Sequence, residues 1–574
     1  MNYNDLKLVI SSFEYTVGYR LKLVLAFFLT GGEILTSLIT PILWGSLIQY
    51  IVSSNYQWVL RILVLLGVVY LMQAIILYFK TYLYTYIEEN ITFNIKKKTY
   101  KLALNFSSSA LDQMDDGEVL SHLDGDTQAM AAIFTGAFLQ SVIAILKLII
   151  IAIIVCRINY MIAIVVVLSF PISYGLLYIF GKKLKKENEK SRSITDHYFS
   201  FVQESISNLK ELKGQGLKRK NLIQFDNVAS GQAKVDIKIG KISALSNSLI
   251  IMIDFFSQMI IYIIGIYLMS QGELELQYFI AVVSYALMLA DTLMEIAQLG
   301  PNMQSAIVSI KRIYDFRETE SEKFGNEKLQ INTSTLQFKG INFAYTESPV
   351  LEDISFEFNS NGKYAIVGES GSGKTTIIEL ILKLYSPDNG SILVNQQQLE
   401  DLSEDSIRDN IAIVSQEPIL FNESIFDNLT LWNTNIQKSR VEELCKEVNL
   451  DSFIKSLPDG YKTVLSEGGK NLSVGQRQRL ALVRALLKNT RIILLDEVMA
   501  SQDAISRDKL LKLINQIKRY HLVIMVEHRL NNIVDSEKII VIKKGLLVGN
   551  GTHNDLMKNC EYYQQLFIKE KNSI

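Results

Sequence analysis

Cysteine is nearly absent: Cys156, Cys445 and Cys560 are the three in a chain of 574 residues. They stand far apart, so they offer neither a metal-ligand spacing nor a disulfide framework, and a cytosolic setting suits the last two. Net charge is nearly absent too, at −1, which gives no argument for a nucleic-acid partner. Met1–Tyr19 lacks the positive start and apolar core of a cleavable signal peptide. No internal repeat or low-complexity tract is visible. What the chain has is length and apolar residues. It is too long for one core, and 49% hydrophobic residues beside 20% charged is the mixture of a membrane half joined to a soluble half.

The first half carries the apolar runs. Asn4–Tyr19 sets Leu6, Val9, Ile10, Phe13 and Val17 at helical spacing, which fits a helix lying on a membrane surface or one packed on its own protein. Six stretches long enough to span a bilayer follow: Leu23–Tyr50, Val59–Leu83, Ala131–Cys156, Met161–Phe180, Ser243–Met269 and Tyr278–Leu299. The links after the first, third and fifth are short. Those after the second and fourth are long and rich in lysine, with Lys96, Lys97, Lys98 and Lys101 in one and Lys182, Lys183, Lys185, Lys186 and Lys190 in the other. The positive-inside rule puts both long connections and both termini in the cytoplasm, and the Lys-, Ile- and Asn-rich composition suggests a bacterial plasma membrane. Tyr84–Leu104 and Lys182–Ser207 read as helices extending the spans. Their tips, Ser107–His122 and Gln203–Lys213, are placed to touch another domain and transmit motion. Glu33, Lys147, Asp254, Asp291 and Glu295 lie within apolar runs and are candidates for substrate contact, whereas Arg61 and Lys80 lie near span ends, within reach of the interface.

The second half changes character. Polar residues 316–335 form a linker between a membrane domain, 1–315, and an α/β domain, 336–574. Strand candidates are Leu336–Phe338, Ile354–Phe358, Tyr364–Val367, Ile411–Val414, Ile492–Leu495, Leu522–Val526 and Ile539–Ile542, with helical patterns between them. After the third comes Gly368, Glu369, Ser370, Gly371, Ser372, Gly373, Lys374, Thr375 and Thr376, a match to the phosphate-loop pattern. It lies between a strand and the helical run Ile377–Leu384, the context that lets backbone N–H groups and a helix N-terminus face phosphates. Lys374 reaches the β- and γ-phosphates and the Thr375 hydroxyl binds Mg²⁺. In Ile492–Glu497 an apolar strand ends in Asp496, suited to Mg²⁺, and Glu497, suited to orient or deprotonate the attacking water.

Asn471–Arg479 (NLSVGQRQR) precedes a further apolar helix, Leu480–Leu487. With these motifs in hand, the whole chain resembles an ATP-binding cassette exporter of the half-transporter kind: a six-span membrane α-helical bundle followed by an α/β P-loop ATPase domain. The resemblance implies that Tyr345 stacks on adenine, that Gln416 senses Mg²⁺ and the attacking water, that His528 contacts the γ-phosphate, and that Asp503 lies at a dimer seam. It also implies that Glu467 meets a helix tip. Ser473, Gly475 and Gln476 would serve the nucleotide of a partner copy, so a lone chain builds no complete site. A homodimer is expected, with a heterodimer the other possibility. The implied function is ATP-driven export of an amphipathic peptide, lipid or drug. The alternative is an ATP-gated channel or regulatory membrane protein, against which the intact Glu497 argues. Three residues depart from the family pattern: Val474 for a glycine, Gln502 for an apolar residue, and Glu527 for a small one before His528.

Overall fold

The computed structural model describes residues 3–134, 138–330 and 335–572. The chain divides into two compact units: Met1–Leu104 with Asp116–Thr319, and Asn105–Asp115 with Glu320–Ile574.

The first unit is helical. Long helices cover the six apolar stretches: Arg20–Val52, Tyr56–Ala103, Phe138–Ile158, Tyr160–Ser207, Lys218–Ser270 and Leu276–Arg317. The third is shorter at its start than expected. Thr127–Ala132 is a separate short helix, and 135–137 lie outside the described residues. Among the described residues, Lys7–Val52, Tyr56–Ala103 and Lys218–Ser270 are long and apolar enough by composition to cross a bilayer. The helices Tyr56–Ala103 and Tyr160–Ser207 run on through the predicted extensions without a break.

One apolar core, with Leu38, Ile151, Ile261, Val282 and Tyr285, joins the spans. A second gathers Val9, Ile87, Ile91, Ile95, Met130 and Ile310. Val9 therefore packs on the protein, while Ile10 and Val17 face outward. The N-terminal stretch is an α-helix, Tyr3–Ser12, followed by a 3₁₀ segment, Phe13–Tyr19. Glu33 is paired: Lys80 bonds to its carboxylate. A charge among apolar helices is least costly when paired.

The second unit contains two sheets. The smaller, antiparallel, is built from β1 (Leu336–Ala344), β2 (Pro349–Phe358), β4 (Asn389–Val394) and β5 (Gln397–Gln398), in the order β2-β1-β4-β5. The larger contains β3 (Gly362–Val367), β6 (Ile411–Val414), β7 (Ile492–Asp496), β8 (Leu522–Val526), β9 (Lys538–Lys543) and β10 (Leu546–Gly551), in the order β10-β9-β3-β8-β7-β6. Its pairings are parallel except β9 with β10. Parallel strands bury both faces, and the alternation is explicit here. Ile492 and Leu494 of β7 enter the core shared with the smaller sheet, and Ile493 and Leu495 enter the core against the helices. β4, β5 and β10 were not among the strand candidates. β4 opens on Asn-Gly and β10 carries two glycines, both poor strand signals. The helix after the phosphate loop, Lys374–Ile381, stops short of Leu384, since Lys383 turns to φ +53°.

Asn105–Asp115 belongs to this second unit. Ser107 N–H donates to the Glu320 carbonyl at 3.0 Å, Phe106 pairs with Ser321, and the Tyr385 hydroxyl donates to Asp112. The first predicted tip is therefore divided: its part through Asp115 packs with the second unit, and Asp116–His122 belongs to the first.

Helices Arg20–Val52 and Leu276–Arg317 approach closely at Gly45, where a Cβ would stand 2.1 Å from the Gln277 carbonyl oxygen. Gly45→Ala is expected to destabilise the membrane unit by about 2 kcal/mol through overpacking. The melting temperature in detergent checks this, and an unchanged value would show that the helices can part there freely.

Candidate functional site

Strand order assembles the site. β3, β8, β7 and β6 are successive neighbours, and all run the same way. Their carboxyl ends deliver, in that spatial order, the phosphate loop, Glu527 with His528, Asp496 with Glu497, and Gln416. Open parallel sheets bind ligands at this edge.

The loop is shaped by its glycines. A Cβ on Gly368 would stand 2.3 Å from the Ile542 carbonyl oxygen, and Gly373 has φ +101°. No other residue type fits both places without strain. Ser372 Oγ is buried with no hydrogen-bond partner, while Glu369, Ser370, Gly371 and Thr375 are exposed. Lys374 is folded back on the loop, donating to the carbonyls of Gly368 at 3.0 Å and Glu369 at 2.9 Å. Burial lowers its pKa, and the nearby Glu497 and Asp496 act the other way. The loop thus combines a glycine cradle, an orphaned hydroxyl and a lysine bonded only to carbonyls. That set of donors suits an anion.

Tyr345 stands beside this loop. Its hydroxyl reaches Thr376 Oγ1 at 2.9 Å and also bonds to Glu379. Phe343 and Tyr385 hold it edge-on, with centroids 4.9 and 5.1 Å away, and it remains 42% exposed, open for stacking.

Glu497 is the centre of the acid cluster. It adopts φ +50°, a sparsely populated conformation for a residue with a side chain. Gln416 Nε2 donates to Glu497 Oε2 at 2.8 Å, and His528 Nε2 stands 2.6 Å from Oε1. Asp496, one residue earlier, is buried; burial first, then Glu497, pushes its pKa up to about 6, with Lys374 opposing. The structure therefore brings together Lys374, Asp496, Glu497, Gln416 and His528 from four loops. A cleft of ≈ 370 Å³ opens along Glu369, Ser370 and His528 toward Leu566 and Lys569 of the last helix.

Ser473, Gly475 and Gln476 form a separate helix end. Ser473 caps the helix Val474–Leu487: Gln476 N–H donates to Ser473 Oγ at 3.2 Å, and Ser473 N–H to Gln476 Oε1 at 2.8 Å. Gln476 is thus partly engaged by its own helix. Gly475 packs tightly, with a Cβ there 2.9 Å from the Ser501 carbonyl oxygen. Asp503 caps the following helix, Ala504–Ile517. The side chain of Glu467 lies outside the described residues.

Two residues were not anticipated from the sequence. Gln478, 1% exposed, donates to the Gln416 carbonyl at 3.0 Å, and Tyr385 joins Tyr345 to Asp112. Both contacts link segments far apart in the chain, so only the fold reveals them.

The family model for the ABC transporter transmembrane region matches residues 23–293, and that for the ABC transporter itself matches 351–500. An export ATP-binding/permease protein of Rickettsia prowazekii (strain Madrid E) is 29% identical, over 85% of this chain and 86% of its own. An ATP-dependent lipid A-core flippase of Saccharophagus degradans is 27% identical, over 85% of this chain and 83% of its own. A multidrug resistance-like ATP-binding protein of Buchnera aphidicola subsp. Schizaphis graminum is 26% identical, over 96% of each. The solved structure of a bacterial Atm1-family ABC exporter with ATP bound shares the fold, with a TM-score of 0.83, 21% identity, and coverage of 96% of this chain and 98% of that one.

Glu527 gives a pH-dependent test of the site's packing. It is 2% exposed, with Asn532 Nδ2 3.4 Å from Oε2. Burial first, with Glu497 adding to it, pushes its pKa from 4.5 up to about 7. The folded chain holds this proton more tightly than the unfolded one, so stability falls as pH rises from about 4.5 to about 7. Glu527→Gln should match wild type near the lower pH and exceed it by about 3 kcal/mol above the upper one. Melting temperatures across that range check this, and a gap independent of pH would contradict it.

Proposed function

This chain belongs to the ABC exporters, as a half-transporter with membrane and ATPase regions fused, and from that premise we propose how its residues carry out ATP-driven export. Hydrolysis of ATP is coupled to transport, and such half-transporters work as dimers. The observation that carries the site assignment is Glu497, held at 2.8 Å by Gln416 and at 2.6 Å by His528 beside the phosphate loop.

In this reading the loop from Gly368 to Thr376 wraps the phosphates of ATP with its N–H groups, and Lys374 exchanges its two carbonyl partners for β- and γ-phosphate oxygens. Tyr345 stacks on adenine. Thr375, Asp496 and Gln416 would hold Mg²⁺, which would supply positive charge against the phosphates. Gln416 and Glu497 orient a water, and Glu497 takes its proton as the water oxygen attacks the γ-phosphorus. The bond to the ADP oxygen breaks, and ADP and phosphate leave. His528 supports the γ-phosphate and fixes the Glu497 carboxylate. Ser473, Gly475 and Gln476 of the second copy complete the site from a helix end whose dipole favours an anion. The dimer closes around two ATP molecules because both copies contribute to each.

Closure favours one orientation of the membrane helices, and hydrolysis restores the other. A ligand shifts such an equilibrium only by its differential affinity for the two states. Asn105–Asp115, packed within the ATPase unit, serves as the mechanical link in this reading, since it follows directly in the chain on the helix Tyr56–Ala103. The cargo we propose is amphipathic. Relatives named for lipid A-core and for multidrug resistance support that class, and Lys147, Asp254 and Asp291 are the candidate contacts in the membrane half. The lysine-rich connections support a plasma-membrane protein with both termini and the ATPase unit in the cytoplasm. We take the dimer to be of identical chains.

The purified chain in lipid should hydrolyse ATP, with Glu497→Gln lowering kcat by about a thousandfold, as expected for loss of a general base with its water-orienting role. Phosphate release measures it. Wild-type activity in the variant would remove Glu497 from the chemistry, and an inactive, well-folded wild type would point to a different partner chain.

A further inference from the structure

We propose that Gln502 is a positioning residue that ties the helix Val474–Leu487, called the signature helix from here on, to the loop Val498–Asp503, completing a line through Gln416, Gln478 and Gln502 from Glu497 to the half-site lent to the second copy. The line can be followed bond by bond. Gln416 Nε2 donates to Glu497 at 2.8 Å, and Gln478 Nε2 donates to the Gln416 carbonyl at 3.0 Å. Gln502 Nε2 donates to Gln478 Oε1 at 3.0 Å, and also lies 3.3 Å from the Val498 carbonyl and 3.4 Å from that of Gly475. Gln478 and Gln502 are buried, at 1% and 6% exposed. Gln502 Oε1 has no hydrogen-bond partner and points at Gly475, 3.1 Å from where a Cβ would be.

A buried amide with one unsatisfied oxygen is a costly way to fill a space that an apolar side chain of the same size would fill. Its other atoms account for it. One NH₂ group joins the signature helix (Gly475, Gln478) to the loop that follows Glu497 (Val498), and the Gln502 carbonyl in turn accepts from Arg507 of the next helix at 3.1 Å. Gly475 and Asp503 are therefore held to one another and, through Gln478 and Gln416, to Glu497. Movement of Gln416 as its own site fills or empties is passed to the residues that serve the other ATP. The two ATP sites of a dimer are coupled by this line. Gln478 and Gln502 transmit position because a buried amide has few alternative partners.

This proposal rests on the head-to-tail dimer proposed above. Its test compares the wild type with Gln502→Leu, Gln478→Leu and the double variant, in lipid, by ATP titration of hydrolysis. Gln502→Asn, an amide too short to span the gap, is a second variant should the leucine disturb folding. Nucleotide binding to the phosphate loop is read separately with a fluorescent ATP analogue. Either change at Gln502 should lower kcat about tenfold and take the Hill coefficient from near 2 toward 1, with analogue affinity within about twofold of wild type. The double variant should be no worse than Gln478→Leu alone, because both remove one bond. A Gln502 variant with wild-type cooperativity, or losses that multiply in the double variant, would overturn the proposal. An active but non-cooperative wild type would overturn this proposal alone. An inactive, well-folded wild type would overturn the homodimer reading and this proposal with it.

Discussion

The parallel pairing of β3 with β8, β8 with β7 and β7 with β6 is the constraint on which the ATPase unit depends. The strands come from distant parts of the chain, yet their carboxyl ends lie side by side, so loops separated by more than a hundred residues meet at one edge. Each strand is held by burial on both faces, the alternate residues of β7 and β8 feeding two different cores. A one-residue slip in β7 would exchange those cores and displace Glu497 from Gln416 and His528 together. The chemistry is therefore held by apolar packing, and the polar cluster needs little scaffolding of its own beyond its mutual hydrogen bonds.

The strain at the site has the same origin. Glu497 takes a left-handed backbone immediately after β7, with its N–H held by the Val526 carbonyl at 2.9 Å. The sheet fixes that turn, and the turn aims the carboxylate at its two partners. Lys374 is bonded to two loop carbonyls, and Ser372 keeps a buried unbonded hydroxyl. In the function proposed above, these groups meet the phosphates, and the binding energy goes to closing the dimer.

The motifs were legible because each is local. Gly368 and Gly373 announce a backbone that no side chain can share, and Ile492–Leu495 reads as a buried strand from its unbroken apolar run. The spans were legible because a bilayer demands long apolar helices. What was hidden is what depends on contact between distant segments. The Glu33–Lys80 pair joins two long helices, Tyr385–Asp112 joins two distant segments of the second unit, and the glutamine line joins the loop after β6, the helix Val474–Leu487 and the loop after β7; none has a pattern along the chain. β10 was hidden for another reason, since its glycines erase the strand signal and only its partner β9 defines it.

The most direct test of the account is cross-linking between copies. Ser370 and Ser473 would each be replaced by cysteine in a Glu497→Gln chain whose Cys156, Cys445 and Cys560 are serine, and a short thiol cross-linker added with and without MgATP. The account predicts a covalent dimer that forms with MgATP and is sparse without it, because the phosphate loop of one copy meets the signature helix of the other only around nucleotide. A chain that stays monomeric under the cross-linker in saturating MgATP would contradict it.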